Sequence, residues 1–219
     1  MINLRMVLAL DLLTFCLPCS LQADVVIEGT VKLPPSKAPA AAAARYQQKA
    51  GAVAAPSPPV AVVYLEGSFT AKGSSSSAPA EMGQKDYQFM PGTVVVRRGS
   101  QIVFPNHDDD YHHVFSYSKT KEFDVGRYRK GETTPSVTFD KAGVVRVGCE
   151  IHEHMRAYIL VLDTPHFATT DAAGKYRLEL KNVPDGKYTF KAWVNEKTTW
   201  EQPVELKDGA KLQVDFPNK

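Results

Sequence analysis

The chain has 219 residues, 43% of them hydrophobic and 23% charged, a balance typical of folded globular proteins and unlike that of disordered chains. Its 26 basic and 24 acidic side chains leave a formal charge of +2, which makes no general case for nucleic acid as a partner. With only 3 cysteines a disulfide-stapled mini-fold is excluded, and the length suits one large domain or two small ones.

Residues 1–23 read as a secretory signal peptide. Arg5 gives the positive start, and Met6 to Leu10 with Leu12 to Leu17 forms an apolar run broken by Asp11. That run is shorter than the ~20 apolar residues a membrane span needs. Leu21-Gln22-Ala23 before Asp24 resembles a cleavage site. Cys16 and Cys19 would leave with this segment, so Cys149 becomes the sole cysteine of an exported chain. In an oxidising compartment such a residue is a free thiol, an intermolecular bridge or a metal ligand. The signal implies export, so the mature chain is expected to be periplasmic or extracellular; no later apolar run is long enough to span, so no transmembrane span is expected in it.

Val25 to Leu33 reads as a strand from its β-branched content. Residues 34–59 are rich in Ala and Pro and read as a surface insertion, with a short helix conceivable over Ala40 to Ala54. Val60 to Leu65 is a second strand, and Gly73 to Pro79 a loop. Short strands then follow at Tyr87 to Phe89, Thr93 to Arg97, Gln101 to Phe104, His112 to Tyr117, Ser136 to Phe139, Gly143 to Gly148 and Met155 to Leu162. Pro91-Gly92, Arg98-Gly99-Ser100, Pro105-Asn106 and Lys141-Ala142-Gly143 punctuate them as turns. Many short strands without a helical period predict an all-β, antiparallel sandwich. Beyond residue 163, Lys175 to Leu180 alternates polar and apolar and is expected to form a hairpin with Lys187 to Val194 across Pro184-Asp185-Gly186. Val204 to Leu206 and Lys211 to Phe216 are expected to repeat that plan across Asp208-Gly209.

All six histidines lie between positions 107 and 166, and Cys149 falls among them. Cys149-Glu150-Ile151-His152-Glu153-His154-Met155 joins two strands, and its spacings of three let one turn bring together a thiolate, an imidazole and a thioether. A second imidazole is available from Asn106 to Phe115. Two His and a Cys with a long axial Met form the ligand set of a blue-copper centre, the sulfurs suiting Cu(I) and the imidazoles both Cu(I) and Cu(II). Zinc seldom takes a thioether. Singly, a buried cysteine is a small hydrophobe and a methionine before a strand is a core residue; the joint pattern is what points to a metal.

Residues 82–163 resemble a cupredoxin, the plastocyanin and amicyanin superfamily. The match lies in Cys149-x-x-His152-x-x-Met155, in Phe104-Pro105-Asn106 followed by Asp109 and His112-x-Val114-Phe115, and in Phe123 to Gly126 with Val137 to Cys149. The resemblance implies a Greek-key β-sandwich with His112, Cys149, His152 and Met155 as copper ligands. It implies an electron-transfer function and a redox protein partner such as a c-type cytochrome or a dehydrogenase. The family usually carries Asn after the first histidine, where this chain has His113. A strand slipped by one residue would make His113 the ligand but would flip every side chain to the other face. His107 and His154 have no family counterpart and are expected to be exposed, and His166 has no assigned role.

Four protein ligands leave no open position for substrate, so no enzyme activity is expected at this centre. A Cys149–His152 nucleophile pair lacks an orienting residue or oxyanion-hole motif. Asp108-Asp109-Asp110 and the basic residues Lys119, Lys121, Arg127, Arg129 and Lys130 read as solvated loop charges or as steering for a partner. Thr170 to Leu178 and Val183 to Phe190 resemble the carboxypeptidase regulatory-like, or transthyretin-like, sandwich. Glu28 to Val31 and Ala61 to Leu65 fit its opening strands. The expected organisation is a discontinuous second small β-sandwich, residues 24–66 plus 164–219, carrying the 82–163 domain as an insertion. The alternative in function is a copper-binding or adhesion module whose metal is structural, stored or delivered.

Overall fold

The computed structural model describes residues 24–36, 57–67, 69 and 79–217. The signal-peptide reading, the helix in 40–54 and most of the 73–79 loop fall outside them. Every regular element among the described residues is a β-strand, so the fold is all-β as the strand and turn signals predict.

The strands are β1 (Val25–Thr30), β2 (Val62–Leu65), β3 (Ala80–Glu81), β4 (Gly83–Lys85), β5 (Gln88–Met90), β6 (Thr93–Arg97), β7 (Ser100–Val103), β8 (His112–Ser118) and β9 (Lys121–Tyr128). They continue as β10 (Ser136–Phe139), β11 (Gly143–Cys149), β12 (Arg156–Leu162), β13 (Phe167–Thr169), β14 (Lys175–Leu180), β15 (Gly186–Asn195), β16 (Thr198–Leu206) and β17 (Lys211–Gln213). A five-stranded sheet in the order β6-β12-β11-β8-β9 packs on the sheet β10-β7-β3, and β4-β5 forms a separate hairpin. Ile102, Phe104, Val114, Phe139, Val145, Val147 and Ile159 fill the space between them.

A second sandwich sets β14-β1-β17 against β13-β2-β15-β16 around Ile27, Val63, Leu65, Leu178, Leu180, Phe190 and Leu206. The strand before residue 66 thus pairs with strands beyond residue 174: Val25 to Thr30 runs antiparallel to Lys175 to Leu180. The strands of these two sheets come from both sides of residues 82–163 in the sequence.

The two hairpins expected beyond residue 163 do not form. β14 pairs with β1 and β15 with β2 and β16, so Lys175 to Leu180 and Lys187 to Val194 lie in opposite sheets. The intervening segment crosses the core edge: Asn182 takes a positive φ of 55° and Val183 is buried in the core. β16 and β17 are likewise split between sheets. β15 instead turns back at Glu196-Lys197 onto a longer β16 than expected. Pro203 fits in β16 because that strand is the sheet edge, where a missing N–H costs no ladder bond.

Outer faces of the two sandwiches meet. On β12, Ala157, Ile159 and Val161 point into the first core, while Leu160 and Leu162 pack with Val62 and Trp193 of the second sandwich. Burial on both faces explains the unbroken apolar run Ala157 to Leu162. Only part of the five-stranded sheet is covered in this way; His113, Phe115 and Tyr117 on β8 are not among the buried contacts.

Candidate metal centre

β8 and β11 are antiparallel neighbours in which Cys149 faces Val114 and Gly148 faces Phe115. His112 opens β8 and Cys149 closes β11, so their side chains meet at one end of the first sandwich. The return from Cys149 to β12 is a tight loop: the Met155 N–H bonds the His152 carbonyl at 2.9 Å, and the Cys149 N–H lies 3.4 Å from the Met155 carbonyl. His112, Cys149, His152 and Met155 are 0%, 1%, 3% and 0% exposed, so water is excluded from all four.

The Cys149 Sγ lies 3.7 Å from Nδ1 of His112 and 3.7 Å from Nδ1 of His152, and the two ring nitrogens are 3.2 Å apart. A point about 2 Å from all three atoms lies inside this triangle, close to metal–nitrogen and metal–sulfur bond lengths of ~2.0–2.3 Å. The donor set and its spacing therefore fit a soft or borderline metal ion. Met155 sits at the end of the same loop, buried in the same core cluster as Cys149.

His113 points away from this cluster. Its Nε2 bonds the Asp124 carboxylate and its Nδ1 is 3.4 Å from Glu150 Oε2, so the one-residue slip is not adopted. Its backbone does tie the two strands of the site together. The His113 N–H points at Cys149 Sγ at 3.5 Å, and the Glu150 N–H bonds the His113 carbonyl at 3.0 Å. His154 is half-buried, contrary to expectation: its Nε2 lies 3.0 Å from the Tyr87 carbonyl and its ring is 6.2 Å from that of His152. His107 is exposed, as expected, beside Glu81. His166 packs edge-on against Phe69 at 4.7 Å.

Two residues of the site escaped the sequence reading. Asp108, read above as a solvated charge, is largely buried and accepts from Nε2 of His112 at 2.8 Å. Because a carboxylate only accepts, Nε2 carries the proton and Nδ1 is the nitrogen left to bind a metal. The same carboxylate accepts the N–H groups of Asp86 at 2.7 Å and Tyr87 at 3.1 Å. Those two residues form the β4–β5 turn with φ of 52° and 59°. This double left-handed turn normally calls for Asn-Gly, and a tyrosine there costs about 1–3 kcal/mol. The turn lays Tyr87 against the site, its ring 5.0 Å from that of His152 and 6.0 Å from that of His112. The sequence signal for Asp108 is its i, i+4 spacing to His112; Asp86-Tyr87 carries no turn signal.

Without a metal, burial works against charge on His112, but the Asp108 bond and the Cys149 sulfur outweigh it and push the ring up to about 9. Burial likewise opposes a charged Cys149. Contacts from the His112 and His152 rings and the backbone N–H groups of His113 and His152 outweigh it and bring the thiol down to about 5. The sulfur is then a thiolate at neutral pH, the form that binds metals.

No protein-family model and no curated protein sequence matches the chain. Among solved structures it is similar to a copper-containing nitrite reductase from Thermus scotoductus SA-01, with 22% identity and a TM-score of 0.37, covering 42% of this chain and 24% of that one. A purple cupredoxin from Nitrosopumilus maritimus matches at 17% identity and a TM-score of 0.34, covering 37% of this chain and 98% of that one. Amicyanin from Paracoccus versutus matches at 17% identity and a TM-score of 0.35, covering 45% of this chain and 96% of that one.

Proposed function

We propose that the chain is an exported copper protein of the cupredoxin type that passes single electrons between redox proteins. The observation that carries this reading is the buried triangle of His112 Nδ1, Cys149 Sγ and His152 Nδ1. These three residues would hold the ion, and Met155, buried at the end of the same loop, would offer a thioether to it. Copper in such a set supplies one-electron exchange between Cu(I) and Cu(II). Bound copper would let the chain take one electron from a reduced protein donor and give that electron to an oxidised acceptor.

The chain's own residues do the rest. Asp108 fixes the His112 ring and its tautomer. The His113 N–H, directed at the sulfur, tempers the charge on the thiolate and so tunes its donor strength. Tyr87 covers both imidazoles and keeps solvent from the ligands. Rigid strands on both sides resist rearrangement between the two oxidation states. The second sandwich is proposed as a carboxypeptidase regulatory-like domain, residues 24–66 plus 164–219, that supports or docks the 82–163 cupredoxin domain; the pairing of β1 with β14 and of β2 with β15 supports this. Among the described residues, no helix is long and apolar enough to cross a membrane.

Optical and EPR spectra of the copper-loaded full chain test the proposal. The expected result is an intense visible thiolate-to-copper band that bleaches reversibly with a reductant and is absent in Cys149→Ser. A colourless or irreversibly reduced centre, or a band that survives Cys149→Ser, overturns it.

A further inference from the structure

We infer that a cleft on the far side of the β-sheet from the metal centre binds a small aromatic carboxylate. The cleft holds about 350 Å³, within the range of small-molecule sites. Its floor is Gly148 of β11, and its walls are Phe115 and Tyr117 of β8, Arg146 and Arg156, and Glu196 in the β15–β16 turn of the second sandwich.

Each part of that lining has a chemical meaning. A Cβ on Gly148 would come within 3.2 Å of the Phe115 ring and 3.0 Å of Arg156 Nη1, so the bare glycine is what lets both side chains close over the backbone. Phe115 and Tyr117 have ring centroids 5.0 Å apart, and Tyr117 is 75% exposed. The two rings are inclined at 47°, and the exposed Tyr117 ring offers its own face to another π-system. Arg156 is tethered through Nη1 to the Met155 carbonyl at 2.9 Å, which fixes its planar head at the cleft. A guanidinium held in place is suited to a carboxylate fork, and it also stacks on rings.

Arg146 stands opposite, 3.8 Å from Glu196, which in turn accepts from the Tyr158 hydroxyl at 3.3 Å. The second sandwich therefore builds one wall of the cleft through this hairpin. Two guanidinium groups against one carboxylate leave the cleft electropositive, and the paired rings ask for a planar apolar body. The guanidinium groups would fork onto any planar or tetrahedral oxyanion; the neighbouring rings are what select an acid carried on a planar apolar body. Nothing in this inference depends on copper.

Calorimetric titration of the full chain with 4-hydroxybenzoate tests it, with phenol and cyclohexanecarboxylate as probes lacking the charge or the aromatic ring. One site per chain is expected, with each control probe weaker by about tenfold or more. Arg156→Met and Tyr117→Ala should each weaken 4-hydroxybenzoate by about tenfold or more while the unfolding temperature holds, since both side chains are exposed. Amide shifts at Phe115, Tyr117 and Gly148 should saturate with the heat signal. Failure to saturate, equal binding by either variant, or cyclohexanecarboxylate binding as tightly as 4-hydroxybenzoate overturns the inference. The last outcome would mean a plain anion patch of the kind an acidic protein partner uses.

Discussion

Asp108 joins His112 to a turn more than twenty residues upstream: one carboxylate holds the ring nitrogen of His112 and both amides of the Asp86-Tyr87 turn. Removing it leaves three donors at or near a buried site without their acceptor. Asp108→Ala should lower copper affinity by about 10–100-fold, the usual loss when a ligand's hydrogen-bond partner is deleted. It should also destabilise the metal-free chain by ~2 kcal/mol or more. Chelator competition and thermal unfolding measure the two effects. Unchanged affinity would show that the His112 ring is held by packing alone.

Acid should reveal the same carboxylate. Burial works against its ionised form, but the His112 bond and the two backbone amides outweigh burial and hold it below the usual value of 3.8. A depressed acid favours the folded state fully above its unfolded pKa, and that share is lost as pH falls through the lower, folded value. Because the same bond holds His112 up to about 9, the stability gap between the metal-free wild type and Asp108→Asn should widen as pH falls from about 9 through 6.5, and the carboxylate's share should be lost below about 4. Parallel acid limbs in denaturant titrations would count against the assignment.

Met155 separates packing from ligation. Leucine matches its volume, so Met155→Leu should cost less than about 1.5 kcal/mol in stability. Loss of a thioether ligand should nonetheless shift the visible spectrum and the reduction potential of the copper-loaded chain. If both stay at the wild-type values, Met155 is a core residue only.

Gly174 tests the discontinuous sandwich. Its φ is +80°, and a Cβ there would lie 2.1 Å from the carbonyl oxygen of Val31. Gly174→Ala should cost about 1–3 kcal/mol from backbone strain alone, and more from the clash with the chain just after β1. The expected outcome is a lower unfolding temperature with an unaltered copper spectrum. A change in the spectrum instead would tie β1 and β14 to the metal centre.

Local chemistry carried the metal-site expectation. Cys149-x-x-His152-x-x-Met155 needs only one short loop, whereas the residues alone placed the second imidazole no more closely than Asn106 to Phe115, and the resemblance of His112-x-Val114-Phe115 to a family segment singled out His112. Tertiary choices were harder. Whether β14 folds back on β15 or pairs with β1 depends on a partner about 150 residues away, and the turn residues Pro184-Asp185-Gly186 suit either outcome. β9 escaped notice because its alternation breaks where Val114 faces a bulge: His113 pairs with Arg127 and Phe115 with Asp124, and Gly126 has φ +74°. Asp108 was hidden in a run of three aspartates, of which only the fold distinguishes the buried one.

β2 and β13, the strands of the second sandwich that precede and follow the first sandwich in sequence, are antiparallel neighbours, Tyr64 opposite Phe167 and Val62 opposite Thr169, with the Leu65 N–H on the His166 carbonyl at 3.0 Å. Two separate strings would twist freely where these strands are laced, because any twist here must first unzip the rungs. The tilt of the end that carries His112, Cys149 and His152 against the second sandwich is therefore set when the chain folds.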